Sequence, residues 1–144
     1  MMENKRPVNR LGIGGWVWAG KYNIERYLYI LHRISGLALV LYFTLHIMVT
    51  SSRIFGVETY ELVMGSLETM LFKVFEYLVF VAFVYHGFNG IRLIITELGF
   101  CLGSPKMPIF PYTNCLMKQR LLMWFLMVLV LIAVVAAGLD FFIL

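Results

Sequence analysis

Three apolar stretches, each with the length of a membrane-spanning helix, constrain this chain more than any other feature of its sequence. The first and the third contain 19 residues each without Asp, Glu, Lys or Arg. The second contains 15 such residues, and its apolar pattern continues past Arg92. About 20 helical residues cross the hydrocarbon core of a bilayer, so all three stretches can span it. The stretches are Ile34–Ser52, Tyr77–Ile91 with its continuation to Ile95, and Leu121–Leu139.

Composition and pattern indicate an all-α membrane protein. Apolar residues make up 61% of the 144 residues, which is more than a water-soluble domain of this size can bury. Only helices and closed barrels satisfy their backbone groups in lipid, and no stretch shows the strict alternation of a barrel strand. We therefore predict one membrane domain, residues 1–144, with three transmembrane helices in an up-down-up bundle behind an N-terminal cytoplasmic segment. The helices are expected at about residues 26–52, 72–99 and 116–142.

The basic residues predict how the chain is oriented. Up to Arg33 there are six basic and two acidic side chains, and the second loop has four basic and one acidic, whereas the first loop has two basic and four acidic. Positive loops stay in the cytoplasm, so the N-terminus and the second loop are expected there, with the first loop and the C-terminus outside. The chain is expected in the inner (cell) membrane as a multi-pass protein in contact with lipid. No basic run with interleaved aromatic residues indicates a nucleic-acid partner.

His46 and His86 lie inside predicted spans, and they point most directly to a function. An ionisable side chain in a transmembrane helix is a candidate for a functional site by default. Neutral imidazole is the commonest metal ligand in proteins, and haem iron in electron-transfer proteins takes axial histidine. The alternative is a histidine that is hydrogen-bonded to a neighbouring helix. Because Arg92 is the one other charge near them, the pair favours axial ligation of haem iron by both residues.

The depth of the two histidines in the membrane favours two haems. His46 lies 13 residues outward of Arg33, or ~20 Å along a helix, and His86 lies six residues outward of Arg92, or ~9 Å. If the two arginines share a level, the histidines differ in depth by roughly 11 Å. One haem with both residues as axial ligands would need them nearly level. Each haem would then take one ligand from this chain and the other from a second membrane subunit.

Two glycines accompany the histidines at helical spacing. Gly36 stands four residues after His32, and Gly90 four residues after His86. Glycine at such positions leaves room for a flat macrocycle to approach the backbone, so both are candidate cofactor-binding residues. The alternative is close helix–helix packing through small residues, which is at least as good an account of Gly36.

Polar residues near the cytoplasmic boundary are candidates for binding charged or polar groups. Arg33 and Arg92 are close to the candidate haem sites, and haem propionates need cationic partners. The alternative is that the arginines extend to lipid phosphates. The cluster of Tyr29, His32, Arg33 and Ser35 offers hydrogen-bond donors at the level where a quinone headgroup would bind.

Two sequence segments resemble a known family. The segment LHRISG at residues 31–36 and the segment YHGFNGIR at residues 85–92 are similar to those of the cytochrome b subunit of succinate dehydrogenase, the larger of the two membrane anchors of that complex. An initial Arg6-Pro7, the three-helix layout and Glu97, five residues after the arginine of the second segment, also fit. The likeness covers roughly residues 6–99, and the third helix matches only in being apolar.

The resemblance implies roles for individual residues. His86 matches the axial haem b ligand of the family, and His32 with Arg33 matches the pair near the haem propionates and the quinone pocket. His46 resembles the extra ligand of the two-haem anchors. Tyr29 stands where single-haem members have a serine, so the resemblance does not carry over the details of quinone binding at this position.

The resemblance also implies a function and partners. The chain would be a membrane subunit of succinate:quinone oxidoreductase (complex II), with a flavoprotein subunit, an iron–sulfur subunit and a second anchor subunit as partners. It would bind haem b, form part of the quinone site, and perform no dicarboxylate chemistry itself. Two alternatives are a haem-free anchor or assembly subunit, and a transport component in which the histidines relay protons. The second expects acidic residues within the apolar cores of the spans, which contain none.

Overall fold

The computed structural model describes residues 24–104, 107 and 115–143, and over these residues it contains helices and no strand. Three of its helices, together with the 3-10 turns that continue two of them, are long and apolar enough to cross a membrane. The predicted all-α architecture with three transmembrane helices is therefore confirmed. The α-helices are α1 (Ile24–Ser51), α2 (Val57–Leu67), α3 (Met70–Glu97) and α4 (Arg120–Phe142), and the 3-10 turns are Ser52–Phe55 and Cys115–Gln119.

The first loop contains a helix that the sequence analysis did not predict. Gly56, with φ of 112°, separates α2 from the turn that ends α1, and this left-handed conformation favours glycine. The apolar residues Tyr60, Val63, Met64 and Leu67 recur at spacings of three and four, which is the helical pattern that would have revealed it.

The helix α3 is the middle element of the bundle and packs against α1 on one side and α4 on the other. We call the end at which α1 and α4 begin and α3 ends the N-terminal end of the bundle. Most apolar side chains remain exposed, as expected where lipid or another membrane subunit covers them. The buried apolar residues are Leu28, Ile30, Leu39, Val84, Met123, Leu126 and Val130.

Local signals fix both ends of α3. The Thr69 side chain accepts a hydrogen bond from the backbone N–H of Phe72 and caps the helix start. At the other end Gly99 has φ of 85°, and the N–H of Phe100 donates to the Ile95 carbonyl, which is the Schellman pattern. The N-terminal segment and Arg6-Pro7, on which part of the sequence analysis depends, lie outside the described residues.

Candidate functional site

The imidazole rings of His32 and His86 stack on each other between α1 and α3. Their centroids are 3.9 Å apart and their planes differ by 8°. The two helices run antiparallel, so this contact puts the two histidines at the same level of the bundle. His32 and His86 therefore form one site, which lies in the half of the bundle nearer its N-terminal end.

The hydrogen bonds around His86 define which of its nitrogens carries a proton. Its Nδ1 atom lies 3.1 Å from the backbone carbonyl oxygen of His32 and 3.2 Å from Ser35 Oγ. The carbonyl can only accept, so the contact requires a proton on Nδ1. Among the described residues none hydrogen-bonds Nε2, so in the neutral ring the Nε2 lone pair is available. A neutral imidazole held through its Nδ1–H is the state in which histidine ligates a metal.

The two glycines predicted at the site each face the imidazole of the opposing helix. A Cβ atom added to Gly36 would lie 2.9 Å from His86 Cε1, closer than real Cβ contacts allow. One added to Gly90 would lie at an ordinary 3.6 Å from His32 Cε1. The missing side chain of Gly36 therefore makes room for His86. That either glycine lets a macrocycle approach stays a prediction.

Arg92 is buried inside the bundle and does not extend to lipid phosphates. Its exposed fraction is 2%, and its Nε donates to Asn89 Oδ1 at 2.9 Å while Nη1 donates to Gln119 Oε1 at 2.8 Å. These two amide residues are 0% and 3% exposed. Sequence reasoning missed both. Asn89 was recognisable as a polar residue three positions before an arginine in a span, whereas nothing in the sequence marks Gln119.

The four residues predicted to bind a quinone headgroup divide into two pairs. Ser35 and His32 face α3, and the Ser35 hydroxyl donates to the His32 carbonyl at 3.0 Å. Tyr29 and Arg33 are exposed on a different side of α1, where the Arg33 guanidinium lies 5.5 Å from the centre of the Tyr29 ring. Of the four residues, Tyr29 and Arg33 are therefore the exposed ones.

His46 is exposed in the second half of α1, where its Nδ1 lies 3.4 Å from the Tyr42 hydroxyl. It is 14 residues from His32, so it lies ~21 Å from the level of the stacked pair. The sequence-based difference of roughly 11 Å was too small. It assumed that Arg33 and Arg92 share a level, whereas Arg33 adjoins the stacked pair and Arg92 lies about 9 Å beyond it, toward the N-terminal end.

The imidazole of His86 has the chemistry of one axial ligand of haem iron. Among the residues that the structure describes, no three His, Cys, Asp or Glu side chains are grouped as a metal site would require. A haem needs fewer ligands from this chain, because one axial imidazole is enough if the opposing ligand comes from another subunit. His86 offers such an imidazole, and stacking on His32 covers the face of its ring, not the Nε2 edge.

Further contacts hold the N-terminal end of the bundle together. The Tyr85 hydroxyl donates to the Leu28 carbonyl at 2.8 Å, joining α3 to α1. Arg120 donates through Nε to Glu25 at 2.8 Å, joining α4 to α1. Two buried nitrogens near this end, His32 Nδ1 and Asn89 Nδ2, have no hydrogen-bond partner among the described residues.

Comparison with known proteins gives consistent matches. The sequence matches the family described as succinate dehydrogenase/fumarate reductase transmembrane subunit over residues 2–135. It is 26% identical over 133 residues to the succinate dehydrogenase 2 membrane subunit SdhC of Mycobacterium tuberculosis, covering 92% of this chain and 80% of that protein. It is 30% identical over 87 residues to the succinate dehydrogenase hydrophobic membrane anchor subunit of Halobacterium salinarum, covering 60% of this chain and 58% of that protein.

Proposed function

Because the chain belongs to the succinate dehydrogenase/fumarate reductase transmembrane subunit family, we propose that this membrane anchor subunit is a cytochrome b that holds haem and forms part of a quinone site. Its relatives are membrane subunits of succinate dehydrogenase, an oxidoreductase complex. In the proposed complex the flavoprotein oxidises the dicarboxylate, and an iron–sulfur subunit delivers electrons to the anchor. This chain contributes anchoring and cofactor binding.

The arrangement of His86 is the observation that carries the proposal. Its Nδ1 faces oxygen acceptors and its Nε2 lone pair is available, which is what an axial ligand requires. Bound there, haem b would take up and release single electrons. Arg33 is the nearest exposed cation on α1 for a propionate, since it adjoins the level of the stacked pair. Arg92 is a second candidate, although it already donates to two amides.

His46 is proposed as the axial ligand of a second haem. Two supports are its exposure on the surface of the chain and its separation of ~21 Å from the level of His86, too far for one macrocycle to serve both. In each case the opposing ligand would come from a second anchor subunit that covers the exposed apolar faces of α1 and α3.

The quinone site is proposed beside the first half of α1. Tyr29 and Arg33 supply exposed donors, and a quinone carbonyl accepts hydrogen bonds from both types of group. His32, whose Nδ1 has no described partner, lies between this surface and His86. Ser35 donates within α1, so it is the weakest member of the predicted cluster.

The test is the haem content of the purified complex, measured for the native chain and for His46→Ala and His86→Ala variants. We expect two b haems per complex, with each substitution removing a different spectral component. If His86→Ala removed both spectral components and His46→Ala left the spectrum unchanged, the chain would bind one haem and not two.

The haem-free anchor is the second candidate, and one observation favours it. His86 is already satisfied by stacking and by hydrogen bonds to α1, as a purely packing histidine would be. Absence of a reduced b-type α-band from the intact, succinate-oxidising complex would establish this alternative and end the cytochrome proposal.

A further inference from the structure

The Ser35 hydroxyl links α1 to His86 of α3, and its one proton is used in a hydrogen bond within α1. Its Oγ donates to the His32 carbonyl at 3.0 Å, one helical turn earlier. The Oγ lone pairs then face His86 Nδ1 at 3.2 Å. Ser35 is 7% exposed, so water does not compete freely for this contact. A buried hydroxyl used in this way acts as an acceptor toward the ring.

The His32 carbonyl oxygen accepts from the same nitrogen. It lies 3.1 Å from His86 Nδ1, so Nδ1 is approached by two acceptors that belong to one turn of α1. The carbonyl contact is attractive only when Nδ1 carries the proton, whereas the Ser35 hydroxyl could donate to a bare Nδ1 only by giving up its hydrogen bond to the His32 carbonyl. The opposite tautomer, with its proton on Nε2, would therefore lose the carbonyl contact and force Ser35 to exchange one hydrogen bond for another in a partly buried setting.

We infer that Ser35 is a positioning residue that favours the Nδ1–H tautomer of His86 and so leaves its Nε2 lone pair available for ligation. The role in haem binding rests on the proposed function above, whereas the tautomer itself does not. The Ser35 hydroxyl touches neither iron nor quinone in this scheme. It acts through the imidazole, because an acceptor at Nδ1–H makes the ring a stronger electron donor to a metal.

Gly36 gives the arrangement its second constraint. The residue after Ser35 has no side chain, and an added Cβ would meet the Cε1 edge of His86 at 2.9 Å. Ser35 thus holds the ring through Nδ1 while Gly36 admits the adjacent ring edge. Adjacent residues of α1 therefore define both the protonation and the position of one imidazole on α3.

The test compares Ser35→Ala, which removes the acceptor, with Ser35→Thr, which keeps a hydroxyl. The matched control is Thr44→Val, which removes a hydroxyl that donates to the Val40 carbonyl on the same helix, away from both rings. In the assembled complex, Ser35→Ala should weaken retention of the His86-linked haem by about 10-fold and raise its midpoint potential, because the ring becomes a poorer donor. Ser35→Thr should restore both values toward the native ones, and Thr44→Val should change neither.

A second measurement does not depend on haem. Nitrogen-15 NMR of the full chain in lipid, labelled at its three histidines and assigned with His86→Ala, reports which ring nitrogen is protonated. The native chain should show protonated Nδ1 and bare Nε2 at His86, and Ser35→Ala should raise the share of the other tautomer, because the His32 carbonyl is then the one remaining acceptor at Nδ1. Protonated Nε2 in the native chain would overturn the inference whatever the haem content. The inference would also be overturned if Ser35→Ala kept the native tautomer, the native haem retention and the native midpoint potential. The cytochrome proposal would then still stand.

Discussion

At the scale of single residues, the stacked histidines and the two glycines form a reciprocal arrangement. His86 of α3 lies against Gly36 of α1, and His32 of α1 lies against Gly90 of α3. The two contacts differ in closeness, since an added Cβ would meet the opposing imidazole at 2.9 Å in one case and at 3.6 Å in the other. Only the first glycine is sterically required.

This difference predicts unequal effects of Gly36→Ala and Gly90→Ala. Both substitutions gain helix propensity, about 1 kcal/mol each, so that gain cancels in the comparison. Gly36→Ala additionally forces His86 to shift, and overpacking of this kind costs about 1–3 kcal/mol. Unfolding free energies of the chain in mixed micelles should show Gly36→Ala as the less stable variant. Equal unfolding free energies of the two variants would mean that α1 and α3 can move apart at Gly36 without a cost in stability.

At the scale of elements, a buried cation joins α3 to the start of α4. Arg92 is surrounded by the amide oxygens of Asn89 and Gln119 and has no carboxylate among its described hydrogen-bond partners. A buried guanidinium loses hydration, and each hydrogen bond to it returns about 1.5–3 kcal/mol. The connection from Arg92 to Gln119 is therefore strong enough to fix where α4 begins relative to α3.

A double-mutant cycle measures this connection. Gln119→Met should destabilise the chain by about 2 kcal/mol, because it leaves a buried charge with one acceptor fewer. Arg92→Met combined with Gln119→Met should cost less than the sum of the single changes, since no unpaired charge remains. Lys118→Met, at the exposed neighbouring position, is the control and should be nearly neutral. Additive costs in the cycle would show that the two side chains do not interact.

At the scale of the whole molecule, the helices and their loops define two faces of a membrane. The helix α2 and the turn before it lie at one face, and α3 ends and α4 begins at the other, which is the N-terminal end of the bundle. Spans of 28 and 32 residues reach ~42 Å and ~48 Å, which exceeds the hydrocarbon core of about 30 Å. The charged contact between Glu25 and Arg120 therefore falls near the boundary.

Cysteine labelling tests the predicted orientation of these faces. Glu61→Cys puts a thiol on the exposed side of α2, and Cys101 is an exposed native thiol in the second loop. In intact cells a membrane-impermeant maleimide should label Glu61→Cys and leave Cys101 unlabelled until the membrane is permeabilised. A variant with Cys101→Ser serves as the control that separates labelling of Cys101 from labelling of Cys115, the other native thiol. The reverse pattern would place the second loop outside.

The sequence predicted the architecture better than it predicted the site. Long uncharged runs define transmembrane helices with little dependence on neighbours, so three spans could be predicted from apolar residues alone. The contact between His32 and His86 depends on how far α1 is shifted along α3. This shift cannot be read from the pattern of apolar residues in one sequence. The depth estimate used the two arginines as its reference level, but Arg92 is buried against its amide partners and does not mark a boundary. Gln119 could not be predicted, because its role exists only once α4 packs on α3.

The hydrogen bonds and the ion pair that join α1 to the other helices are found in the first part of α1, and this affects how the helix moves. Among the described residues, all of these ties come from positions 25–35 of the chain, and the remaining half of α1 has none. On warming, α1 should consequently separate from its neighbouring helices in steps along the membrane normal. Its second half should detach first. A subunit that docks there would therefore meet a helix that can still adjust its tilt, while the ring pair nearer the start of α1 is already in place.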